Sequence, residues 1–579
     1  MCGIFALLNN DNYFSKDFIK EQFDKGKNRG PEHSCLVENV KSIFGFHRLA
    51  INGLNSISNQ PIIIDNILLI CNGEIYNYKE LYQMMNINGT TQSDCEVIIH
   101  LYLNYGMEQT LQMLDGVFSF ILLDYRINSV VDLTSKCFIA RDPFGVRPLF
   151  ILNTVSNNEK NIVGFASEMK VLQKFHEELN FERDSDNVYM IQPFLPGSFS
   201  VYYLSNKVLS NWELCIKNQV YFLPAFSNTL LNNQPSNEIM YEIMNNISSS
   251  LMNAVYKRCL TTERPIAALL SGGLDSSLIA ALVSKFYMEK DGINKLETYS
   301  IGLLGSEDLK YANIVANYIG SKHTEIIVTE QEMFDIIPEV IYSIESYDTT
   351  TVRASIGNYL IGKYISEHSH AKVIFNGDGA DEVCGGYLYM NKCPDPVEFD
   401  KETRRLLKYI HQFDVLRSDR CISSHGLEPR TPFLDKAFVN SYLSIPSFIR
   451  SNTFFQKQKV NIIEKYLLRS SFSSFGCRLI EKQILPDEIL WRKKEAFSDG
   501  VSSNSRSLFV ILQEYISKEL ENNPRVPPGM SLLDKEKYYY KKIFQKYYKN
   551  LEYNIPFYWM PKYIDATDPS ARTLDIYDN

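Results

Sequence analysis

Ile266-Ala267-Ala268-Leu269-Leu270-Ser271-Gly272-Gly273-Leu274-Asp275-Ser276-Ser277 is the stretch that decides the fold of the longer part of the chain. Its leading apolar residues, 266–270, predict a short buried strand. Leu274, Leu278, Leu282 and Phe286, at four-residue steps, predict a helix starting at the glycines. A glycine-rich loop between strand and helix lets the backbone approach a phosphate closely. The helix start aims N–H groups and a positive dipole end at it. The loop lacks both the Gly-Lys-Ser/Thr ending of a Walker loop and a GxGxxG pattern. A capped strand-to-helix turn is the bland reading, but SGGLDSS in this setting is far more specific than a lone GxGxxG. Ser271, Gly272, Gly273, Asp275 and Ser276 are therefore candidate phosphate contacts.

The same rhythm continues downstream. Residues 296–301, 326–328 and 372–375 read as strands. Tyr311, Ala312, Val315 and Ile319 trace a helix stopping at Gly320, and Met333, Ile336, Ile337, Val340, Ile341 and Ile344 mark one helical face. Alternating strands and helices predict an α/β, parallel, doubly wound sheet with ligands at the carboxyl ends of its strands. A second strand end carries Asn376-Gly377-Asp378-Gly379-Ala380-Asp381-Glu382 and then Gly385-Gly386-Tyr387. Asp275 and Asp381 are a candidate pair for Mg²⁺, which favours carboxylates plus phosphate oxygens. A glycine-rich acidic turn is the alternative, and EF-hand spacing is absent. Lys493 and Lys494 are either a solvated basic run or neutralise a departing pyrophosphate. From about residue 397 the chain reads as helical, then as an irregular tail.

Upstream, residues 2–8, 42–48, 67–71, 118–123, 137–140 and 162–166 are short β-rich runs, with helical patterns near 18–23 and 95–105. They predict an α+β domain of sheet packed on sheet. Residues 206–235, where Asn232, Asn233, Gln234 and Pro235 cluster, read as a linker. The expected division is 2–205, linker 206–235 and 236–579. Cys2 follows the initiator Met. With Met1 removed, one residue would carry a thiol and an α-amine of ordinary pKa about 7.7–8.0, a nucleophile with its own base. Asn72 and Gly73 are candidate oxyanion donors, although Asn-Gly is also a common hairpin turn. Arg48 could clamp an α-carboxylate, and Asp94 an α-ammonium.

Composition sets the outer limits. The 579 residues suggest about two to four domains at roughly 150 residues each. Hydrophobic residues at 45% and charged residues at 22% are those of a globular protein. The balance of 59 Lys+Arg against 68 Asp+Glu, −9 net, argues against a nucleic-acid partner. Neither a membrane-spanning run nor a signal peptide is expected. Eleven scattered cysteines without metal spacing fit a reducing, cytoplasmic compartment.

Taken together, the motifs resemble the glutamine-hydrolysing asparagine synthetase family. The first half contributes Met1-Cys2-Gly3-Ile4, Arg29-Gly30-Pro31, Arg48-Leu49, Asn72-Gly73-Glu74-Ile75-Tyr76-Asn77 and Ser93-Asp94-Cys95-Glu96. The second contributes the 271–277 loop, Tyr347-Asp348-Thr349-Thr350-Thr351-Val352-Arg353-Ala354-Ser355, Glu428-Pro429-Arg430-Thr431-Pro432 and Lys494-Glu495-Ala496-Phe497-Ser498-Asp499-Gly500. The tail adds Asp568-Pro569-Ser570-Ala571-Arg572. The resemblance implies an Ntn-type αββα sandwich followed by a HUP/ATP-pyrophosphatase-like domain. It implies that Cys2 attacks glutamine, that Asn72 and Gly73 hold the oxyanion, and that Arg48, Glu74 and Asp94 hold the amino-acid end. Ammonia would pass through an internal channel and meet aspartate activated by ATP as β-aspartyl-AMP. Leu270, Ile301, Asn376 and Gly377 would lie at ATP, with Asp275 and Asp381 at Mg²⁺ and Lys494 at pyrophosphate. Thr350, Thr351, Arg353, Ser355 and Tyr387 would line the aspartate and pyrophosphate region. Relatives are often dimers, so a homodimer is an expectation.

One departure stands out. Many members have Ser-Gly-Glu where this chain has Asn376-Gly377-Asp378, a carboxylate one methylene nearer the backbone. Asp378 is the expected catalytic carboxylate. Amidation of another acceptor remains the open alternative, and a catalytically dead homologue is opposed by intact Cys2, Arg48, Asp275 and Lys494.

Overall fold

The computed structural model describes residues 1–39, 41–126, 134–154, 162–181, 188–205, 210–226, 235–291, 295–451, 463–474, 483–495, 497–503, 506–521 and 526–574. The chain divides into two units. One comprises Met1–Leu223, Thr261–Arg264 and Ser423–Glu428; the other holds Pro224–Leu260, Pro265–Ile422 and Pro429–Asn579.

In the first unit, strands rich in apolar residues build two six-stranded sheets. One runs β10-β8-β9-β1-β3-β2, formed by β1 (Gly3–Leu8), β2 (His33–Asn39), β3 (Ser42–Arg48), β8 (Phe150–Thr154), β9 (Val163–Ala166) and β10 (Tyr189–Pro193). The other runs β12-β11-β7-β6-β5-β4, formed by β4 (Ile62–Ile64), β5 (Ile67–Ile75), β6 (Gly116–Asp124), β7 (Thr134–Arg141), β11 (Ser198–Ser205) and β12 (Trp212–Val220). Ile4, Ala6, Leu8, Phe44 and Phe46 of the first sheet meet Leu68, Ile70, Ile121, Leu123 and Ile139 of the second in one core. The alternate residues of the second sheet, Leu69, Cys71, Phe118 and Phe120, pack with Leu81 of α2 (Tyr78–Met85) and Ile98 and Leu101 of α3 (Val97–Met113). On the far side Phe5 contacts Phe23 of α1 (Lys16–Asp24) and Phe175 of α4 (Met169–Phe181), each at 5.9 Å between ring centroids. The layering is helix–sheet–sheet–helix, which lets both faces of each sheet be covered.

The expected linker 206–235 needs correction. Residues 212–220 form β12, which pairs antiparallel with β11. Its alternation was masked because an edge strand exposes one side of its ladder and most of its side chains. Residues 206–209 and 227–234, including Asn232, Asn233 and Gln234, lie outside the described residues.

The second unit has a five-stranded sheet in the order β15-β14-β13-β16-β17, formed by β13 (Ile266–Leu269), β14 (Glu297–Leu303), β15 (Lys322–Val328), β16 (Val373–Phe375) and β17 (Glu428–Arg430). The pairs β13–β14, β13–β16 and β14–β15 are parallel. Central β13 is short and apolar, as a strand covered on both faces must be. β15 extends four residues further upstream than its apolar end suggested, since Lys322, His323, Thr324 and Glu325 continue the ladder with polar side chains. α5 (Asn237–Leu260) precedes β13. α6 (Leu274–Asp291) follows it, and α7 (Glu307–Ile319) ends on Gly320 in the left-handed region at φ 67°. The helical face predicted over 333–344 is split into α8 (Glu330–Asp335) and α9 (Ile337–Ile344), because Pro338 can sit only in a first turn. Then α10 (Thr349–His368) leads to β16 and α11 (Ala380–Cys384). β14 and β15 lie to one side of β13 and β16 to the other, so the crevice between β13 and β16 is the switch point where such sheets bind ligands.

Among the described residues ten cysteines are free, and no helix is long and apolar enough to cross a membrane.

Candidate active sites

β1 and β5 place Cys2 beside Asn72 in the first unit. The Cys2 N–H donates to Asn72 Oδ1 at 3.1 Å, and its Sγ lies 3.7 Å from the Leu49 carbonyl. Asn72 is fully buried, yet its Nδ2 has no hydrogen-bond partner. An unpaired buried amide is costly, and beside the Cys2 thiol it keeps Asn72 the candidate oxyanion donor. The Asn-Gly pair is no hairpin turn. β5 runs through it, pairing Asn72 with Ser119 and Gly73 with Phe118. A Cβ at Gly73 would lie 2.6 Å from the Val117 carbonyl oxygen, so only glycine fits. Burial pushes the Cys2 thiol up. With Met1 attached, the Cys2 nitrogen is an amide, and the Met1 amine lies buried 3.9 Å from Glu428.

The residues expected at the amino-acid end form a linked polar set. Asn52, which the sequence reading missed, donates through Nδ2 to Glu74 Oε2 at 2.7 Å and to Asp94 Oδ1 at 3.4 Å. The Ile75 N–H donates to Asp94 Oδ2 at 2.7 Å. Burial pushes the Asp94 carboxyl up to about 6. Arg48 is occupied with its own loop: its guanidinium donates to Asn55 O at 2.9 Å, Asn59 Oδ1 at 2.6 Å and the Asn52 and Gly53 carbonyls. It therefore holds the 52–59 loop in place.

In the second unit a cavity of about 220 Å³ opens at the switch point. The loop after β13 gives it Leu270, Ser271, Gly273, Asp275 and Ser276; β14 gives Ile301, and the loop after β16 gives Asn376, Gly377, Asp378 and Asp381. Thr350 and Thr351 of α10, Tyr387 and Lys494 also line it, as expected. Gly272, at φ 71°, does not line it; a Cβ there would sit 2.4 Å from Ala312 N, so its role is close packing on α7. Gly377 lets the two loops touch, since a Cβ would lie 2.7 Å from Ser276 N.

Two lysines organise the charge. Lys465 Nζ lies 2.5 Å from both Asp275 Oδ2 and Asp381 Oδ1, and Lys494 Nζ lies 2.5 Å from Asp381 Oδ2. Burial opposes ionisation of Asp381, but Lys465 and Lys494 together hold its carboxyl well below the usual range. Sequence reading missed Lys465, because a single lysine in Glu464-Lys465-Tyr466 carries no spacing signal. Asp275 Oδ1 is buried without a partner. Among the described residues no cluster of three or more metal-ligand side chains occurs. Two carboxylates with a free oxygen fit Mg²⁺ carried in on phosphates rather than an ion caged by protein.

At the other end Asp378 is pushed up by burial, against the pull of Arg417, whose Nη2 lies 3.2 Å away and also donates to Asp414 at 2.7 Å. The Tyr387 hydroxyl donates to Glu382 at 2.5 Å. Two expected residues do not reach the cavity. Arg353 is buried against Glu536 and Asp568, with N–O distances of 2.6–2.9 Å, and Ser355 donates to the Thr351 carbonyl at 2.6 Å. Both lie on α10: Arg353 points to its carboxylate partners, and Ser355, one turn beyond Thr351, spends its hydroxyl on the helix backbone. Ala496 lies outside the described residues.

These two units define a class, an amidotransferase joined to a nucleotide-dependent synthetase. A glutamine amidotransferase domain model matches residues 1–219, and an asparagine synthase model matches 246–398 and 391–559. Asparagine synthetase [glutamine-hydrolyzing] of Gallus gallus is 43% identical over 598 residues, covering 100% of this chain and 99% of the relative. The Homo sapiens protein of that name is 40% identical over 592 residues, with the same coverage. This chain belongs to the glutamine-hydrolysing asparagine synthetase family. A solved NMN synthetase from Francisella tularensis aligns with 55% of this chain and 98% of its own at 10% identity and a TM-score of 0.23, which adds nothing to the topology above.

Proposed function

We propose that the chain makes L-asparagine from L-aspartate, ATP and the amide nitrogen of glutamine, releasing glutamate, AMP and pyrophosphate. The observation that carries this reading is the lysine-bridged Asp275/Asp381 pair beside the SGGLDSS loop, in a chain that also sets Cys2 against an unpaired Asn72 amide. The layered first unit is read as an Ntn-type sandwich and the second as ATP-pyrophosphatase-like.

In the first site the Cys2 sulfur bonds to the side-chain amide carbon of glutamine, with Asn72 Nδ2 and the neighbouring Gly73 backbone facing the oxyanion. The C–N bond breaks, the departing amide nitrogen takes up the proton given by the thiol and leaves as ammonia, and water hydrolyses the thioester to glutamate. In the second, the aspartate side-chain carboxylate attacks the α-phosphorus of ATP and pyrophosphate departs. Ammonia then adds to the acyl carbon, AMP leaves, and a proton is lost to give asparagine. Lys465 and Lys494, both paired with Asp381, are read as the cations that offset the charge growing on pyrophosphate. Mg²⁺, held by Asp275 and Asp381, would screen the triphosphate. The test is product analysis with aspartate, ATP, Mg²⁺ and amide-¹⁵N glutamine. Labelled asparagine with equimolar AMP is expected; glutamate without asparagine would mean another acceptor.

Two variants probe the separate sites. Asp378→Ala is expected to cut asparagine formation by about 10²-fold or more while glutamine hydrolysis continues. Equal loss of both activities would remove Asp378 from its assigned place. At the glutamine pocket, Asp94 ionises only as pH rises through about 6, so an α-ammonium loses its partner below that value. The KM for glutamine should climb about tenfold per pH unit below 6, and Asp94→Asn should show a flat, high KM across the range.

A further inference from the structure

The segment Asp568-Pro569-Ser570-Ala571-Arg572 has no part in the steps above, yet it is docked by paired charges, buried at Asp568 and largely screened at Arg572. We propose that it is a working wall of the synthetase site, with Arg572 and Asp568 as positioning residues that fix the loop bearing Lys494. This deepens the reading above and rests on it for the reaction served. Pro569, Ala571 and Leu574 line the same cavity as Lys494 and Glu495. Alternate residues turn the other way and pin the segment. Arg572 Nε donates to Glu495 Oε1 at 2.8 Å, Nη2 lies 2.6 Å from the same oxygen, and Nη1 donates to the Ser503 carbonyl at 2.8 Å. Ser570 Oγ donates to Asp499 Oδ1 at 2.7 Å. Asp568 accepts from Arg353 at 2.7 and 2.9 Å and from Gln513 at 3.0 Å. Arg353 stands one turn along α10 from Thr350, which lines the cavity.

Contacts therefore run from Arg572 to Glu495, across one peptide bond to Lys494, and on to Asp381 at 2.5 Å. Packing alone would explain the apolar Pro569 and Ala571, but not a guanidinium spent on the residue next to Lys494. The segment fixes the ammonium where the phosphate chain must lie, and its apolar atoms keep water from the activated acyl group.

The test uses the full chain and measures equilibrium binding of ATP–Mg²⁺ and of AMP, aspartate-dependent pyrophosphate release, and glutamine hydrolysis. For Arg572→Ala the expected result is about tenfold weaker ATP binding with AMP binding unchanged. Pyrophosphate release should fall at least as far while glutaminase activity is retained, and Arg572→Lys should recover most of the loss. Asp568→Asn, which keeps the side-chain size, should show the same contrast more weakly. ATP and AMP weakened alike, neither weakened, or glutaminase lost in parallel would overturn the proposal. A wild-type chain that binds ATP but releases no pyrophosphate with aspartate would sink the functional reading instead, and the ATP-to-AMP contrast would still decide the role of the segment.

Discussion

Cys2→Ala is expected to lower glutamine hydrolysis and glutamine-driven asparagine formation by at least about 10³-fold, while ammonium restores asparagine formation. The substitution removes only Sγ. The hydrogen bond to Asn72 Oδ1 comes from the backbone N–H and survives, as does β1, whose ladders to β3 and β9 begin beyond Cys2. The lost thiol contact to Leu49 is long, at 3.7 Å, so little stability should go with it. The measurement is glutamate release and asparagine yield with each nitrogen source. Residual glutaminase activity near wild type would place the nucleophile elsewhere and undo the assignment of the first site.

At the second site the largest loss is expected from Lys465→Ala, at least about 10³-fold in aspartate-dependent pyrophosphate release. Without Nζ, the Asp275 and Asp381 carboxylates face each other with only Lys494 between them. Breaking such a buried pair typically costs about 3–5 kcal/mol, so a lower Tm should accompany the loss. Gly386→Ala separates the two effects. A Cβ there would lie 1.8 Å from Lys465 Cε and 2.1 Å from Asp381 Oδ1, so a methyl group would displace the ammonium without deleting it. Both variants should keep glutaminase activity. A Gly386→Ala enzyme with normal pyrophosphate release would show that the lysine bridge is dispensable.

Legibility of the sequence followed the kind of signal each residue leaves. The SGGLDSS loop and the NGDGADE turn announce themselves, because glycines beside carboxylates at strand ends have few other uses, and the cavity is lined from both. Buried strands such as β1 and β13 were legible from unbroken apolar runs, whereas β12 and the first half of β15 are polar edges whose pairing only the neighbouring strand reveals. Arg353 and Ser355 share a motif with Thr350 and Thr351, but Arg353 is taken by Glu536 and Asp568 and the Ser355 hydroxyl by the Thr351 carbonyl, and a motif does not show such partners. Lys465 was invisible, and the need for glycine at Gly386 unread, because the meaning of both lies in one contact between residues about 80 positions apart.

The composition of the first unit sets a timetable for its biosynthesis. Thr261–Arg264 and Ser423–Glu428 belong to it, although most of it is finished at Leu223. Asn52 donates to the Thr261 carbonyl, the Gly53 N–H to Glu263 at 2.6 Å, and Arg29 to Ser423 at 2.9 Å. These partners emerge from the ribosome as much as about 200 residues later, which at roughly 5–20 residues per second is on the order of 10–40 s. Until then buried Arg29 and the Asn52 loop lack these contacts. A nascent chain halted near residue 240 should thus hold a loosely closed glutamine pocket, and the nucleophile gains its finished surroundings only when most of the synthetase has also been made.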